Sequence, residues 1–559
     1  MTKPQKTART KKALFCASAI GVLAGAAAAQ VAQPDAPLKL RTDYFGYSAS
    51  ASARASYTDN IGLARDGLKD SEYALSTLFS GGAIVSTPRV TALILGDLDF
   101  SYLIDQGDFV VNQNIGATST FTAVDDYLYL DLSGSTSRQL VGDNARYSGN
   151  LNAARNQRAN VHSYSASPFI FHRFADQSST ELRYRFAQSF VDGSSSPIAF
   201  LTGSTLNDSI THEVFANYDS GRALDRIRLR LSAYGSDTTE SGESGFPDFT
   251  YRQGSLTSDI QIALTSHFAL SGAVGYDDVE TGGAASLFFD DDVLSGFFWR
   301  AGFTAKPGPR SNVRLEYGQR YGDDFIDANA SYRVSDRFTF SAGASRSFRT
   351  RAQSLSDQNR ATQRATLDFA DRLREGSELS ARNLIEAANW YSQGLNFGRS
   401  QTTGVSISDS AHASLGGNFQ RLRVSLNGYY NDDDFGFRTI TSYGAGLNVQ
   451  REVSRHINAY GSVSWRNSDT TVNTAECIMN PVIFGFDVND PLFDAPTACA
   501  ELDAQNGVTD TVVGRLGGSY QLYENASVFV EVGHTERYSE NALLEYSENN
   551  IIAGVTLGF

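Results

Sequence analysis

Beyond its first 29 residues the chain has no apolar run near the ~18 residues that a membrane-spanning helix needs. Helical membrane proteins are thereby set aside, and only a closed barrel could carry the rest of the chain across a bilayer, because its backbone groups pair between strands and leave no edge. Lysine is nearly missing from the same region: Lys39, Lys69 and Lys306 stand against 39 arginines. Cysteine is scarce too. Of three, only Cys477 and Cys499 lie outside the amino-terminal segment, with neither CxxC spacing nor a neighbouring histidine pair, which argues against a zinc site. The seven histidines are scattered, and no HExxH helix, GxSxG elbow or phosphate loop occurs. His212 beside Glu213 is the best enzymatic candidate, but no nucleophile or further carboxylate goes with it. Neither enzyme, cofactor nor metal is expected; Asp290–Asp292 and Asp432–Asp434 read as solvated loop charge rather than calcium ligands.

What is present begins with Lys3, Lys6, Arg9, Lys11 and Lys12, an apolar run from Ala13 to Ala29, and the small residues Ala27, Ala28 and Ala29. That is the form of a secretory signal peptide, residues 1–29. The formal charge of −15 falls to −20 once those five basic residues are removed, which argues against nucleic-acid binding. An exported chain meets an oxidising compartment, so Cys477 and Cys499 read as one disulfide within a long extracellular loop, 468–508.

After a short periplasmic leader (30–43), which leaves no room for a separate plug domain, residues 44–559 alternate with period two. Ala49, Ala51, Ala53, Ala55 and Tyr57 oppose Ser48, Ser50, Ser52, Arg54 and Ser56. Leu98, Phe100 and Tyr102 oppose Asp97, Asp99 and Ser101; Leu128, Leu130 and Leu132 oppose Tyr127, Tyr129 and Asp131. The pattern recurs with Arg183 and Arg185, with Arg226, Arg228 and Arg230, with Arg314 and Glu316, and with Arg423. Charges at every second position are costly against lipid, so these residues should line a wet lumen and the apolar row should face hydrocarbon. Short turns such as Pro307–Arg310 alternate with long loops, as periplasmic and extracellular rims do. The fold expected is all-β: a transmembrane antiparallel up-and-down barrel of about 22 strands, within a range of about 16 to 22.

Two segments interrupt this rhythm. Residues 353–392 carry Leu367, Phe369, Ala370, Leu373, Leu384, Ile385 and Ala388 at helical spacing. They read either as a surface helix hairpin or as a plug folded into the lumen. The chain then closes on Ile551–Phe559, whose apolar row (Ile551, Ala553, Val555, Leu557, Phe559) ends in an aromatic at the last residue. A terminal Phe in that position resembles the assembly signal by which outer-membrane barrels are recognised by their insertion machinery.

The arginine combs admit two roles. They pair with Asp97, Asp99, Asp131, Glu181 and Glu316 as ladders across a wide interior, the preferred reading, or they guide an anionic solute or polymer.

The stretches "ASYTDNIGLARDGLKDSEYALSTLFSGGAIVSTPRVTALILGDLDFSYL", "DDYLYLDLSGSTSRQ", "SYSASPFIFHRF" and "TELRYRF" resemble the porin-like outer-membrane β-barrel family associated with exosortase (PEP-CTERM) and exopolysaccharide gene clusters. The likeness covers residues 45–190 by motif and the remainder by strand rhythm and Phe559. This chain departs from it at Phe79-Ser80-Gly81-Gly82, where the family tends toward a Pro-Gly turn, and in its cysteine loop. The resemblance implies a Gram-negative outer-membrane channel that passes exported exopolysaccharide, and it carries over no catalytic residue. The alternatives are a general diffusion or uptake porin for small anionic solutes and a non-conducting structural or adhesive surface barrel. Expected partners are outer-membrane lipid, lipopolysaccharide and the barrel-insertion machinery, with polysaccharide and periplasmic export components for the export reading, and no nucleic acid.

Overall fold

The structure is a computed structural model. It describes residues 37–38, 44–140, 145–148, 150, 152–192, 208–221, 223–241, 248–283, 286, 289–308, 310–335, 337–350, 353, 379–380, 405–481, 486 and 493–559. The proposed signal peptide, most of the leader and all of 353–392 except 353 and 379–380 lie outside the described residues.

Period-two alternation over this length gives long antiparallel strands with one polar and one apolar face. The first seven are β1 (Phe45–Thr58), β2 (Glu72–Ser86), β3 (Val90–Leu103), β4 (Asp108–Val124), β5 (Leu128–Leu140), β6 (Arg158–Arg173) and β7 (Ser179–Asp192). Then come β8 (Asp208–Asp219), β9 (Ile227–Ser241), β10 (Phe249–Ala263), β11 (Phe268–Gly283), β12 (Gly296–Ala305), β13 (Ser311–Arg320), β14 (Asp323–Arg333) and β15 (Phe338–Thr350). The last seven are β16 (Val405–Asn418), β17 (Leu422–Asp434), β18 (Arg438–Glu452), β19 (Ile457–Val472), β20 (Gly507–Tyr523), β21 (Ala526–Ser539) and β22 (Tyr546–Gly558). Each pairs with its sequence neighbours, and β22 returns to β1 in a register running from Ser50 opposite Gly558 to Thr58 opposite Asn550. The 22 strands form one closed antiparallel barrel, as the alternation predicts.

The faces also separate as predicted. On β22, Ile551, Ala553, Val555, Leu557 and Phe559 are exposed, while Thr556 and Gly558 opposite them are buried. On β1 the serines at 48, 50 and 52 are buried. Phe559 donates its backbone N–H to Ala49 O (2.8 Å), so the last residue completes the seam. The outer surface presents many exposed apolar side chains, including Leu75, Val214, Leu256, Val463 and Val530. No helix among the described residues is long and apolar enough to cross a membrane.

The rim carrying the carboxyl terminus has short turns with local caps. At 174–178, Asp176 accepts from both the backbone N–H (2.9 Å) and the hydroxyl (2.6 Å) of Ser178, which holds its carboxyl below the usual range. The adjacent turn needs Gly221, with φ +54°: a Cβ there would sit 2.3 Å from Gln177 O.

The opposite rim carries the long connections. Strand pairing runs further into them than alternation alone suggests, to Gly283 on β11 and to Val472 on β19, so the cysteine loop opens at 473 rather than 468. Helices α1 (Asp291–Leu294), α2 (Thr474–Met479) and α3 (Ala495–Asn506) all stand at this rim. The short backbone ladder of Pro37 with Ser380 and Leu38 with Leu379 joins the leader to the β15–β16 insertion.

Candidate functional site: a charge-laddered lumen

Most residues singled out from the sequence come together on the inner wall, and most find partners. Asp99 pairs with Arg54 (2.6 Å) and accepts from Ser101, with Asp97 on the same face. Asp131 pairs with Arg183 (2.6 Å), which also holds Glu181 (2.7 Å). The Arg183 guanidinium lies 3.8 Å over the Phe169 ring, and Phe169 stacks on Tyr129 at 5.0 Å. Arg185 pairs with Glu213, whose other oxygen accepts from the Tyr234 hydroxyl (2.7 Å). Arg228 (2.6 Å) and Arg230 (3.0 Å) share Asp219.

The densest cluster sits on β12–β14. Arg300 reaches Asp259, Asp327 (2.7 Å) and Glu316 (3.0 Å), and Arg314 reaches Asp327 (2.8 Å) and Glu316 (3.4 Å). Arg300 Nε meets Glu316 as a charge contact rather than an aligned hydrogen bond. Two glycines make room for it. A Cβ at Gly318 would lie 2.7 Å from Arg300 Cα, and one at Gly302 would lie 2.7 Å from Glu316 Cα.

Some residues fall elsewhere. Tyr127 is half exposed in the short turn before β5 and stacks on His172 (4.6 Å) with Phe174 close by, an aromatic group at the rim. Arg226 is exposed in the turn before β9, and Arg423 is exposed near the same rim on β17. His212 and Glu213 take opposite faces of β8: the histidine accompanies the exposed Tyr184 (2.8 Å), the carboxylate the buried Arg185. Alternation keeps the two from converging on one substrate. Cys477 and Cys499 are joined as a disulfide, Cα–Cα 5.9 Å, tying α2 to α3 over a small core of Phe435, Phe437, Ile440, Val472 and Leu502.

The partners Arg54, Asp219, Asp259, Arg300 and Asp327 could be assigned to a face from the sequence, but not to one another. The pair Arg320–Asp277 (2.7 Å) and the group Arg346–Asp409 (2.6 Å) with Asp323 (3.1 Å) were likewise missed. Cross-strand pairing needs register, and register appears only when the hairpins are set against each other.

Two packed groups stand at the far mouth. On one side Tyr251, Val279, Leu294, Tyr321, Phe348 and Val405 pack together, Gln253 donates to the Tyr321 hydroxyl (3.0 Å), and Gln353 reaches Thr238 (3.2 Å). Burial pushes the Tyr321 phenol up to about 12. On the other side the described part of the loop between β5 and β6 docks away from its own strands. Its Ala153 and Ala154 pack on Leu63 and Tyr546, and the Ala154 N–H donates to Ile61 O (3.0 Å).

Among the described residues no group of His, Cys, Asp and Glu could hold a metal ion. No protein-family description matches the chain, and no curated protein does. Among solved structures, the siderophore receptor PirA from Acinetobacter baumannii aligns over 92% of this chain and 80% of its own, at 10% identity and a TM-score of 0.45. The ferric-catecholate import receptor Fiu from E. coli K12 aligns over 93% and 82%, at 10% identity and 0.45. The FrpB iron transporter from Neisseria meningitidis aligns over 92% and 81%, at 9% identity and 0.37. At that level of likeness the architecture of this chain rests on its own register: a closed cylinder with an apolar outer face and a charge-paired interior.

Proposed function

We propose that the chain forms a passage across the outer membrane of a Gram-negative bacterium for a hydrophilic, anionic cargo, with exported exopolysaccharide as the first candidate. The observation that carries this is the division of faces around a closed 22-strand register: apolar outside, charged and hydrogen-bonding inside. Solute would meet fixed, mutually paired charges with aromatic surfaces such as the Tyr129–Phe169–Arg183 stack, which suits the flat faces and hydroxyls of sugars. The rim with the carboxyl terminus would be periplasmic and the rim with the disulfide extracellular. Polymer would be driven from the periplasmic side, since the outer membrane has no ATP and the sequence carries no phosphate-loop motif. Outer-membrane lipid, lipopolysaccharide and the insertion machinery that reads Phe559 are the partners this placement requires.

A second reading, uptake of a small anionic solute, is favoured by one observation: the packed side-chain clusters of the connecting segments stand at the mouth opposite the carboxyl terminus, where selection would act on what enters from outside.

The test is single-channel conductance of the purified full-length protein in planar bilayers, with polymer export measured in a deletion strain. Conductance blocked by acidic oligosaccharide, together with lost export, supports the first reading. Conductance with unchanged export supports the second, and no conductance at all refutes both. If 353–392 acts as a plug, its deletion raises conductance. If it forms a surface hairpin, conductance stays unchanged.

A further inference from the structure

The wall arginines described above pair with carboxylates, whereas a group at the far mouth makes no such contact among the described residues. The β5–β6 connection leaves the wall and docks far from its own strands. Tyr147 O accepts from the Tyr546 hydroxyl (2.6 Å), Ala145 O from Arg537 (3.2 Å), and Ser148 and Asn150 donate to Glu548. Tyr546 and Glu548 belong to β22 and Arg537 to β21, so the arch reaches past β4, β3, β2 and β1. It is held in place rather than loosely draped. Asn152 accepts from Asn112 (3.0 Å), and Ala153, Ala154 and Ser148 are buried.

The arch and its strand ends carry Arg138, Arg146 and Arg158, and among the described residues none of the three makes a carboxylate pair. Arg138 donates to Asn112 Oδ1 (2.6 Å), Arg146 to the carbonyls of Leu63 (3.0 Å) and Leu543 (3.2 Å), and Arg158 to the carbonyl of Ala153 (3.3 Å). Arg138 and Arg158 are within electrostatic reach of each other, and Arg146 Nε is buried with no hydrogen-bond partner. The nearby carboxylate, Glu548, is occupied otherwise: the hydroxyl of Thr58 (2.8 Å), the hydroxyl of Ser148 and the amide of Asn150 (3.4 Å) take its oxygens. A guanidinium has five donors in a fixed fork. Neutral acceptors leave most of those donors unused, and the charge of Arg158 is met only through space, by Glu548 and by Tyr147 and Tyr546, with no carboxylate in contact. Crowded like charges of this kind are relieved by an anion that accepts from two forks at once.

We propose that the foot of the β5–β6 arch is an anion-selecting site, in which Arg138 and Arg158, on adjoining strand ends, receive a carboxylate or phosphate group carried by the cargo. This rests on the passage reading above and names its selectivity element.

The experiment uses the full-length barrel, with heat-modifiable gel mobility as the check that each variant is folded. Reversal potentials in a KCl gradient are measured for wild type, the double variant Arg138→Gln/Arg158→Gln and the double variant Arg138→Lys/Arg158→Lys. Binding of galacturonate, of its oligomers, of inorganic phosphate and of a neutral glucose oligomer is measured by calorimetry in detergent. Wild type is expected to prefer chloride and to bind the acidic probes but not the neutral one. The Gln pair should lose the preference and bind about tenfold more weakly, the loss of one charge-assisted bond, while the Lys pair keeps the preference. Binding of monomer and oligomer alike points to a small solute, and binding of oligomer alone points to a polymer; either supports the site. A conducting wild type without anion preference, or Gln and Lys pairs that behave alike, overturns it. A barrel that binds acidic probes without conducting keeps the site and refutes the passage.

Discussion

Replacing Arg300 by methionine tests most directly whether the lumen arginines hold the wall together. Arg300 is 16% exposed, and Glu316, which it shares with Arg314, is 3% exposed. The substitution keeps the aliphatic volume but leaves Asp259, Glu316 and Asp327 with Arg314 as their one remaining cation in this group. Breaking a buried pair by removing one partner costs about 3–5 kcal/mol. Here Asp259 (27%) and Asp327 (21%) can draw on water and Arg314 remains, so the expected loss is about 2–3 kcal/mol. Glu316→Gln alone should cost less, and the double variant should fall short of the sum by about 1 kcal/mol or more, as contacting residues do. The assay is urea unfolding of the refolded barrel in lipid vesicles, followed by tryptophan fluorescence, to which the adjacent Trp299 contributes. An Arg300→Met midpoint corresponding to less than about 0.5 kcal/mol, the range of an uninvolved surface change, would refute the ladder reading. Strict additivity would do the same for the pairing.

Three further outcomes follow from the same geometry. Removal of Phe559 should lower the yield of membrane-inserted barrel in cells, while the molecules that do insert conduct like wild type; reduced unitary conductance with normal yield would contradict its place at the seam. Ala553→Arg puts a charge on the outward face of β22 and should cost about 2–4 kcal/mol if it sits near the bilayer midplane, read in the same vesicle unfolding assay. Cys477→Ser with Cys499→Ser opens a link across 22 residues, worth about 3 kcal/mol by loop entropy, and should make the α2–α3 segment protease-sensitive while the barrel stays folded; in wild type, a thiol probe on unreduced cells should label neither cysteine.

The fold was legible because a barrel writes itself locally. Each strand declares its two faces by alternation, so Ile551–Phe559 and the Ala/Ser comb of β1 could be assigned before any contact was known. The strand count followed from turns that separate them. What alternation cannot carry is the partner across the gap. Arg183 could be placed in the lumen, yet its grip on Asp131, from β5 across β6, depends on the relative stagger of three strands. The combs on β7 and β9 look like neighbours in sequence, but β8 stands between them and supplies Glu213 to the first and Asp219 to the second. The arch was illegible for the same reason in stronger form: nothing in the residues around Tyr147 says that they will meet Tyr546, about 400 positions away.

The sequence by itself therefore determined the class, the faces and the closing strand, because period-two burial is a property of each segment alone. The tertiary structure decided which charges pair in contact, where the β5–β6 loop docks and which arginines make no carboxylate contact among the described residues. Those depend on the through-space sum of charges from strands far apart in the chain, and that sum exists only once the cylinder has closed.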